Sequence, residues 1–239
     1  LYEIPLELER EGLARIVCRK LSIVCGEPDL SSWERMVDGI ANPEFQVDIG
    51  VVGKYAELRD SYLSIVEALE HGGAAHHARV HIHWINADEV TLRNAAGMME
   101  DLDGILIPGG FGTRGIEGKI EAARYAREQG IPYFGICLGM QVAVIEYARS
   151  ILGLGGANSA EFDADTPYPV IDLLPDQKNV EQMGGTMRLG RYPCRLAEGS
   201  LARKAYGQEE IQERHRHRYE FNNDYRDALT EAGMKVVGT

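Results

Sequence analysis

A short apolar run, Tyr133-Phe134-Gly135-Ile136, stops at Cys137, and from Leu138 onward the apolar positions Val142, Ile145 and Ala148 recur at helical spacing. A strand, a cysteine and a helix therefore follow one another with no connecting loop. Such a junction needs residues without side chains where strand and helix approach, and Gly135 and Gly139 flank the cysteine. Gly-x-Cys-x-Gly here has the form of the Gly-x-Ser-x-Gly nucleophile elbow, in which a strained turn presents its nucleophile at a helix N-terminus. The unpaired N–H groups and the dipole at that end favour thiolate over thiol. The plainer alternative is a core cysteine that happens to lie near a turn.

A second segment favours the catalytic reading. Leu102 to Ile107 is another strand-like run, and it ends in Pro108-Gly109-Gly110-Phe111-Gly112. Glycines behind a strand offer unhindered backbone N–H groups, as an oxyanion hole requires. A helix from about Ile116 to Gln129 returns the chain to the strand before Cys137, making one β-α-β unit. Parallel sheets place their sites at the carboxyl ends of strands, so the glycine loop and the cysteine are expected to meet in space.

The remaining chain fits the same plan. Val47 to Val52 reads as the first clear strand, Asp60-Ser61 open a helix through Leu69, and Val80 to Ile85 alternates as a strand. Strands alternating with helices imply an α/β fold with a mostly parallel sheet covered on both faces. His81 and His83 share one face of their strand, with His76 and His77 just before. With no acidic or cysteine partner at ligand spacing, these histidines are expected to be solvated surface and not metal ligands. After a helix from Gln141 to about Leu152, Val170–Leu174 reads as a strand. Gly184–Gly190 with Tyr192–Leu196 reads as an antiparallel hairpin, and Ser200 opens a short helix through Tyr206. The alternating Arg214-His-Arg-His-Arg218 suggests a strand with arginines on one face and histidines on the other.

A net charge of −12 argues against nonspecific nucleic-acid or anionic-membrane binding. No apolar run reaches the length of a membrane span. The four cysteines are too sparse for a disulfide scaffold and form no Cys-x-x-Cys pair, which fits a reducing cytosol and argues against zinc.

Five motifs now stand in order: Pro108–Gly112, Gly135–Gln141, Asn158-Ser-Ala-Glu-Phe162, Gly184-Gly-Thr-Met-Arg-Leu-Gly190 and Glu213-Arg-His-Arg-His-Arg-Tyr219. Together they resemble the class I glutamine amidotransferase domain of the CTP synthase family, from roughly Val47 onward. The resemblance implies a flavodoxin-like α/β domain with an antiparallel insertion over residues 47–239, incomplete at its C-terminal end. Residues 1–46, with Tyr2-Glu-Ile-Pro5 and a helix around Trp33–Ile40 capped by Pro28-Asp29-Leu30 and Ser31-Ser32, resemble the tail of an ATP-dependent amidoligase domain and its linker. A helical extension of the same domain is the alternative.

By this resemblance Cys137 is the nucleophile, attacking the side-chain amide of L-glutamine to give a thioester. The N–H groups of Gly110 and Leu138 would form the oxyanion hole. Gly110, Leu138, Gly139, Met140, Gln141, Glu161 and Arg218 would contact glutamine. Glu161 suits its ammonium, and Arg218 its carboxylate. The segment itself would carry no cofactor. ATP, Mg2+, UTP and allosteric GTP belong to the intact enzyme, a cytoplasmic homotetramer. Arg114 is a candidate for GTP, although a solvated loop arginine is the commoner role. His215 or His217 could serve as base on sequence alone, whereas the family places its His and Glu in a Phe-His-Pro-Glu segment that these 239 residues do not contain. The chain is therefore expected to be a nearly inactive piece of a longer protein, with Val236-Val237 a strand cut short. Another class I amidotransferase subunit, a cysteine hydrolase of similar fold and a noncatalytic assembly module remain alternatives.

Overall fold

The structure is a computed structural model that describes residues 1–173 and 188–239. The chain divides into two compact units, Leu1–Ile49 with Leu58–His83 and Gly50–Glu57 with Trp84–Thr239.

In the first unit, α1 (Ile4–Arg10) and α2 (Leu13–Leu21) bury no residue, whereas α3 (Ser31–Ala41) packs on α4 (Leu63–Ala75). The close approach needs Gly39, where a methyl group would lie 2.6 Å from the Ala74 carbonyl oxygen. Of the capping segment expected before α3, Leu30 holds the cap position and the Asp29 carboxylate accepts the Ser31 N–H at 3.0 Å, while Ser31 and Ser32 belong to the helix itself. Two strands, β1 (Phe45–Gly53) and β2 (Ala78–Asn86), begin in this unit and continue beyond it. His81 and His83 are exposed, as expected of solvated surface, and the Asp48 carboxylate of β1 lies against both imidazoles. A partner on a neighbouring strand is invisible to spacing along one strand.

In the second unit follow α5 (Ala95–Met99), β3 (Gly104–Ile107), α6 (Ile116–Gln129), β4 (Tyr133–Gly135) and α7 (Leu138–Ser150). A four-stranded sheet runs β2-β1-β3-β4 and is flanked by helices. Strands β3 and β4 pair in parallel, with Ile107 opposite Gly135. All of β3 is buried, as expected of a parallel strand covered on both faces. The core joins Val52 and Ile107 to Val142, Ile145 and Ala148, the helical stripe of α7.

The chain then forms β5 (Ala157–Ser159), β6 (Tyr168–Leu173), β7 (Arg188–Arg195), α8 (Leu201–Tyr206), β8 (Glu210–His217), β9 (Tyr219–Phe221) and α9 (Arg226–Glu231). Strands β5, β6 and β9 make a three-stranded sheet, and β7 with β8 a two-stranded antiparallel ribbon. The expected hairpin of Gly184–Gly190 with Tyr192–Leu196 is not found. Arg188–Arg195 is one continuous strand whose partner is β8, in unbroken register from Arg188 opposite His217 to Arg195 opposite Glu210. Gly190 carries the strand onward at φ 101°, where another residue would turn it. Leu174 and residues 184–187 lie outside the described residues. Ser200 caps α8 as expected, its Oγ accepting the Arg203 N–H at 3.1 Å. Near the last residues, Gly238 bridges Leu196 antiparallel, and the Arg195 N–H donates to the Thr239 carbonyl at 2.7 Å.

Candidate active site

Strand β4 turns into α7 at a single residue. Cys137 sits at φ 54°, ψ −105°, a conformation rare for a residue with a Cβ and characteristic of a strained elbow. Its glycines are obligatory. A methyl group on Gly135 would lie 2.4 Å from the Gly139 carbonyl carbon, and one on Gly139 would lie 2.2 Å from the Ile107 carbonyl oxygen. Tyr133 secures the turn by donating its hydroxyl to the Gly139 carbonyl at 2.6 Å.

The loop after β3 reaches this elbow. A methyl group on Gly109 would touch the Cys137 Cβ at 3.5 Å, and one on Gly110 would touch Leu138 at 3.4 Å. The backbone N–H groups of Leu138 and Gly110 both act on the Cys137 sulfur and favour its thiolate. Burial acts more strongly, and the nearby Glu161 and Glu220 charges add to it, so the Cys137 thiol is pushed up overall. The expectation of a thiolate-favouring helix end is therefore corrected: the amides pull as predicted, and desolvation wins.

The sulfur opens into a cavity of about 130 Å³ lined by Gly110, Phe111, Cys137, Gln141 and Glu161 on one side and Arg216 to Tyr219 on the other. Drug-sized pockets start near roughly 300 Å³, so this one suits a molecule the size of a single amino acid. Glu161, just past β5, accepts the Gly112 N–H at 3.4 Å. Arg218 stands between β8 and β9, its Nε buried without a hydrogen-bond partner among the described residues. Gln141 is 5 % exposed and donates to the Tyr219 carbonyl at 2.9 Å, tying α7 to β9. Of the residues singled out from sequence, Gly110, Cys137, Gln141, Glu161 and Arg218 meet at the cavity. Leu138 contributes its N–H while its side chain enters the core. Gly139 and Met140 are not among the lining residues.

Sequence reasoning did not single out Phe111, Arg216 or Tyr219 as lining residues. Arg216 could have been found by the strand period, two residues before Arg218, and Tyr219 as its neighbour in the chain. The alternation of β8 does hold: Arg214 and Arg216 are exposed, while His215 and His217 are half-buried. His217 lines the cavity, yet the hydrogen bonds to the sulfur come from backbone amides and not from an imidazole. Another unanticipated residue is Lys119 of α6, 1 % exposed, whose ammonium lies about as close as Lys54 to the Gly110 position. Burial, reinforced by Lys54, holds its pKa down at about 8. Arg114 is engaged by the Asp88 carboxylate at 3.4 Å and by the Lys54 carbonyl.

Comparison with known proteins agrees with this geometry. The model of the glutamine amidotransferase class-I family matches residues 57–239. A CTP synthase of Carboxydothermus hydrogenoformans is 58% identical over 239 residues, all of this chain and 45% of that protein. One from Clostridium acetobutylicum is 59% identical over the same length, again 45% of the protein. The chain thus spans about half the length of the curated relatives it matches. The solved structure of the Trypanosoma brucei CTPS glutaminase domain with bound acivicin superposes with a TM-score of 0.73 at 38% identity, covering 80% of this chain and 74% of that one. A family match over most of the chain and this set of relatives agree with the cysteine elbow and its cavity: the chain belongs to the class-I glutamine amidotransferase family, in its CTP synthase branch.

Proposed function

We propose that this chain binds L-glutamine in the Cys137 cavity and releases ammonia from its side-chain amide. One observation carries the reading: two backbone N–H groups converge on a strained, half-buried cysteine in a cavity whose wall holds the Glu161 carboxylate and an Arg218 Nε with no hydrogen-bond partner among the described residues. The solved relative with bound acivicin supports it. Arg218 would fork the substrate carboxylate and Glu161 would accept its ammonium. That pairing offsets the Glu161 charge, one of the effects that holds the thiol up.

The Cys137 sulfur then adds to the amide carbon. The oxyanion is met by the Leu138 and Gly110 N–H groups, each worth about 3 kcal/mol of barrier. The C–N bond breaks, ammonia departs with the thiol proton, and a thioester remains. Water cleaves the thioester to glutamate and restores the thiol. A thiol raised by burial needs a base, and no Phe-His-Pro-Glu segment occurs among these residues. Slow turnover by the 239 residues alone is the consequence.

In the larger protein the ammonia would pass to an ATP- and Mg2+-dependent amidoligase part that aminates UTP to CTP, with GTP as activator, within a cytoplasmic homotetramer. A GTP phosphate at Arg114 would have to displace Asp88. A chloroketone analogue of glutamine tests the core of this reading. It is expected to alkylate Cys137, detected by peptide mass spectrometry, with protection by glutamine and at least a tenfold loss of labelling in Arg218→Ala. Labelling indifferent to glutamine and to Arg218 would leave a generic cysteine hydrolase or an assembly module instead.

A further inference from the structure

We propose that Asp48, His81 and His83 form a binding site for a divalent transition-metal ion of the zinc type, joining the adjacent strands β1 and β2. The site belongs to the unit of Leu1–Ile49 and Leu58–His83, and no step of the glutamine chemistry draws on it.

The strand period places the two imidazoles on one face of β2, and β1 lies beside β2 in the sheet. Asp48 Oδ1 is 3.0 Å from His81 Nδ1 and 2.6 Å from His83 Nε2. The three ligand atoms all lie within 4.8 Å of one another. A tetrahedral zinc ion with bonds of about 2.0–2.1 Å needs its ligand atoms roughly 3.3 Å apart. The two carboxylate separations, 3.0 and 2.6 Å, fall short of that value by a few tenths of an ångström, and the third is no more than 4.8 Å, so small side-chain rotations suffice. The rings stand 70° apart with centroids 4.8 Å from each other, and they turn different nitrogens, Nδ1 and Nε2, toward the one carboxylate.

Ligand chemistry narrows the ion. Two imidazoles and one carboxylate select zinc, cobalt, nickel or copper over magnesium and calcium, which prefer all-oxygen shells. Three protein ligands leave a fourth position for water or a further donor. Without metal, each imidazole can only donate its ring proton to the same oxygen. Metal binding moves the one remaining proton of each imidazole to its other ring nitrogen, His81 Nε2 and His83 Nδ1, and leaves a lone pair on the nitrogen that already faces the carboxylate. Side-chain exposures of 62% and 44% for the histidines and 29% for Asp48 give the ion a path from solvent. With both imidazoles on β2 and the carboxylate on β1, the ion would clamp one strand to the next.

Zinc titration by calorimetry tests the site, in a Cys18→Ser/Cys25→Ser/Cys137→Ser/Cys194→Ser background that removes all four competing thiols. One equivalent is expected to bind. His83→Gln and Asp48→Asn should each weaken it at least about tenfold, while His217→Gln, which alters the His215, His217 and Glu220 group, should leave it unchanged. Zinc should also raise the melting temperature of the background protein and not of His83→Gln, whose metal-free melting matches the background. Absence of binding, affinity retained in both His83→Gln and Asp48→Asn, or affinity lost in His217→Gln would overturn the assignment.

Discussion

Cys137 illustrates how opposed local effects are settled by magnitude. The Leu138 and Gly110 amides lower its pKa, burial raises it by more, and Glu161 adds a further upward push. Since thiolate is the reactive form, alkylation of Cys137 by iodoacetamide should reach half its maximal rate at a pH above that of an ordinary cysteine. Glu161→Gln removes a negative charge and should move that midpoint down, giving faster alkylation at any fixed pH below it. Mass-spectrometric alkylation profiles from neutral to alkaline pH would check both, and an unmoved midpoint in Glu161→Gln would remove Glu161 from the account. Lys119 behaves in the opposite sense. Its pKa falls from 10.5 to about 8 on folding, so at neutral pH a charged ammonium is held in a site that disfavours it. The penalty is on the order of 3 kcal/mol below pH 8 and disappears as pH rises through 10.5, because the unfolded chain then binds the extra proton no longer. Lys119→Met is accordingly expected to stabilise the fold at pH 7, with a gain that shrinks between pH 8 and 10.5. Thermal melts across that range would show it.

Among the elements, α6 and α7 are fixed to one another by a buried ion pair. Glu146 is 3 % exposed, and Arg127 reaches it with Nε at 3.1 and 3.0 Å and with Nη2 at 2.8 Å. The fork meets both carboxylate oxygens, and its loss would strand a charge inside the protein. Arg127→Leu should destabilise by about 3 kcal/mol in urea unfolding, whereas Arg127→Leu with Glu146→Leu should recover most of it, since neither charge is then left unpaired. The same pair of helices flanks the cysteine elbow, α7 starting directly at Cys137 and α6 carrying Lys119. The β7–β8 ribbon shows the converse case. Its register runs without interruption past Gly190 and Pro193, and among the described residues no third strand pairs with β7 that would need an N–H from Pro193.

Across the whole molecule stability is uneven. In the second unit α7 buries eight residues of its thirteen, whereas in the first unit α1 and α2 bury none. Helices without a buried face rely on weak intrinsic propensity. Hydrogen exchange of the Leu13–Leu21 amides is therefore expected to be at least about a hundredfold faster than that of Val142–Ala148. Equal protection in the two segments would mean that α2 is held by packing the structure does not contain. The net charge of −12 is spread over a chain in which no described helix is long and apolar enough to cross a membrane.

The sequence by itself determined the βα alternation, the elbow and the glycine loop. Each of these depends on neighbours within a few residues, where period and the absence of a Cβ decide the outcome. It also supplied the motifs on which Glu161 and Arg218 were selected, although alone each would pass for a surface charge. Only the tertiary structure decided that both line the Cys137 cavity, that burial outweighs the helix end at the sulfur, that β7 pairs with β8, and that Asp48 stands against His81 and His83. Those facts depend on residues brought together from distant parts of the chain, and on how much water their meeting excludes, neither of which is encoded in local spacing.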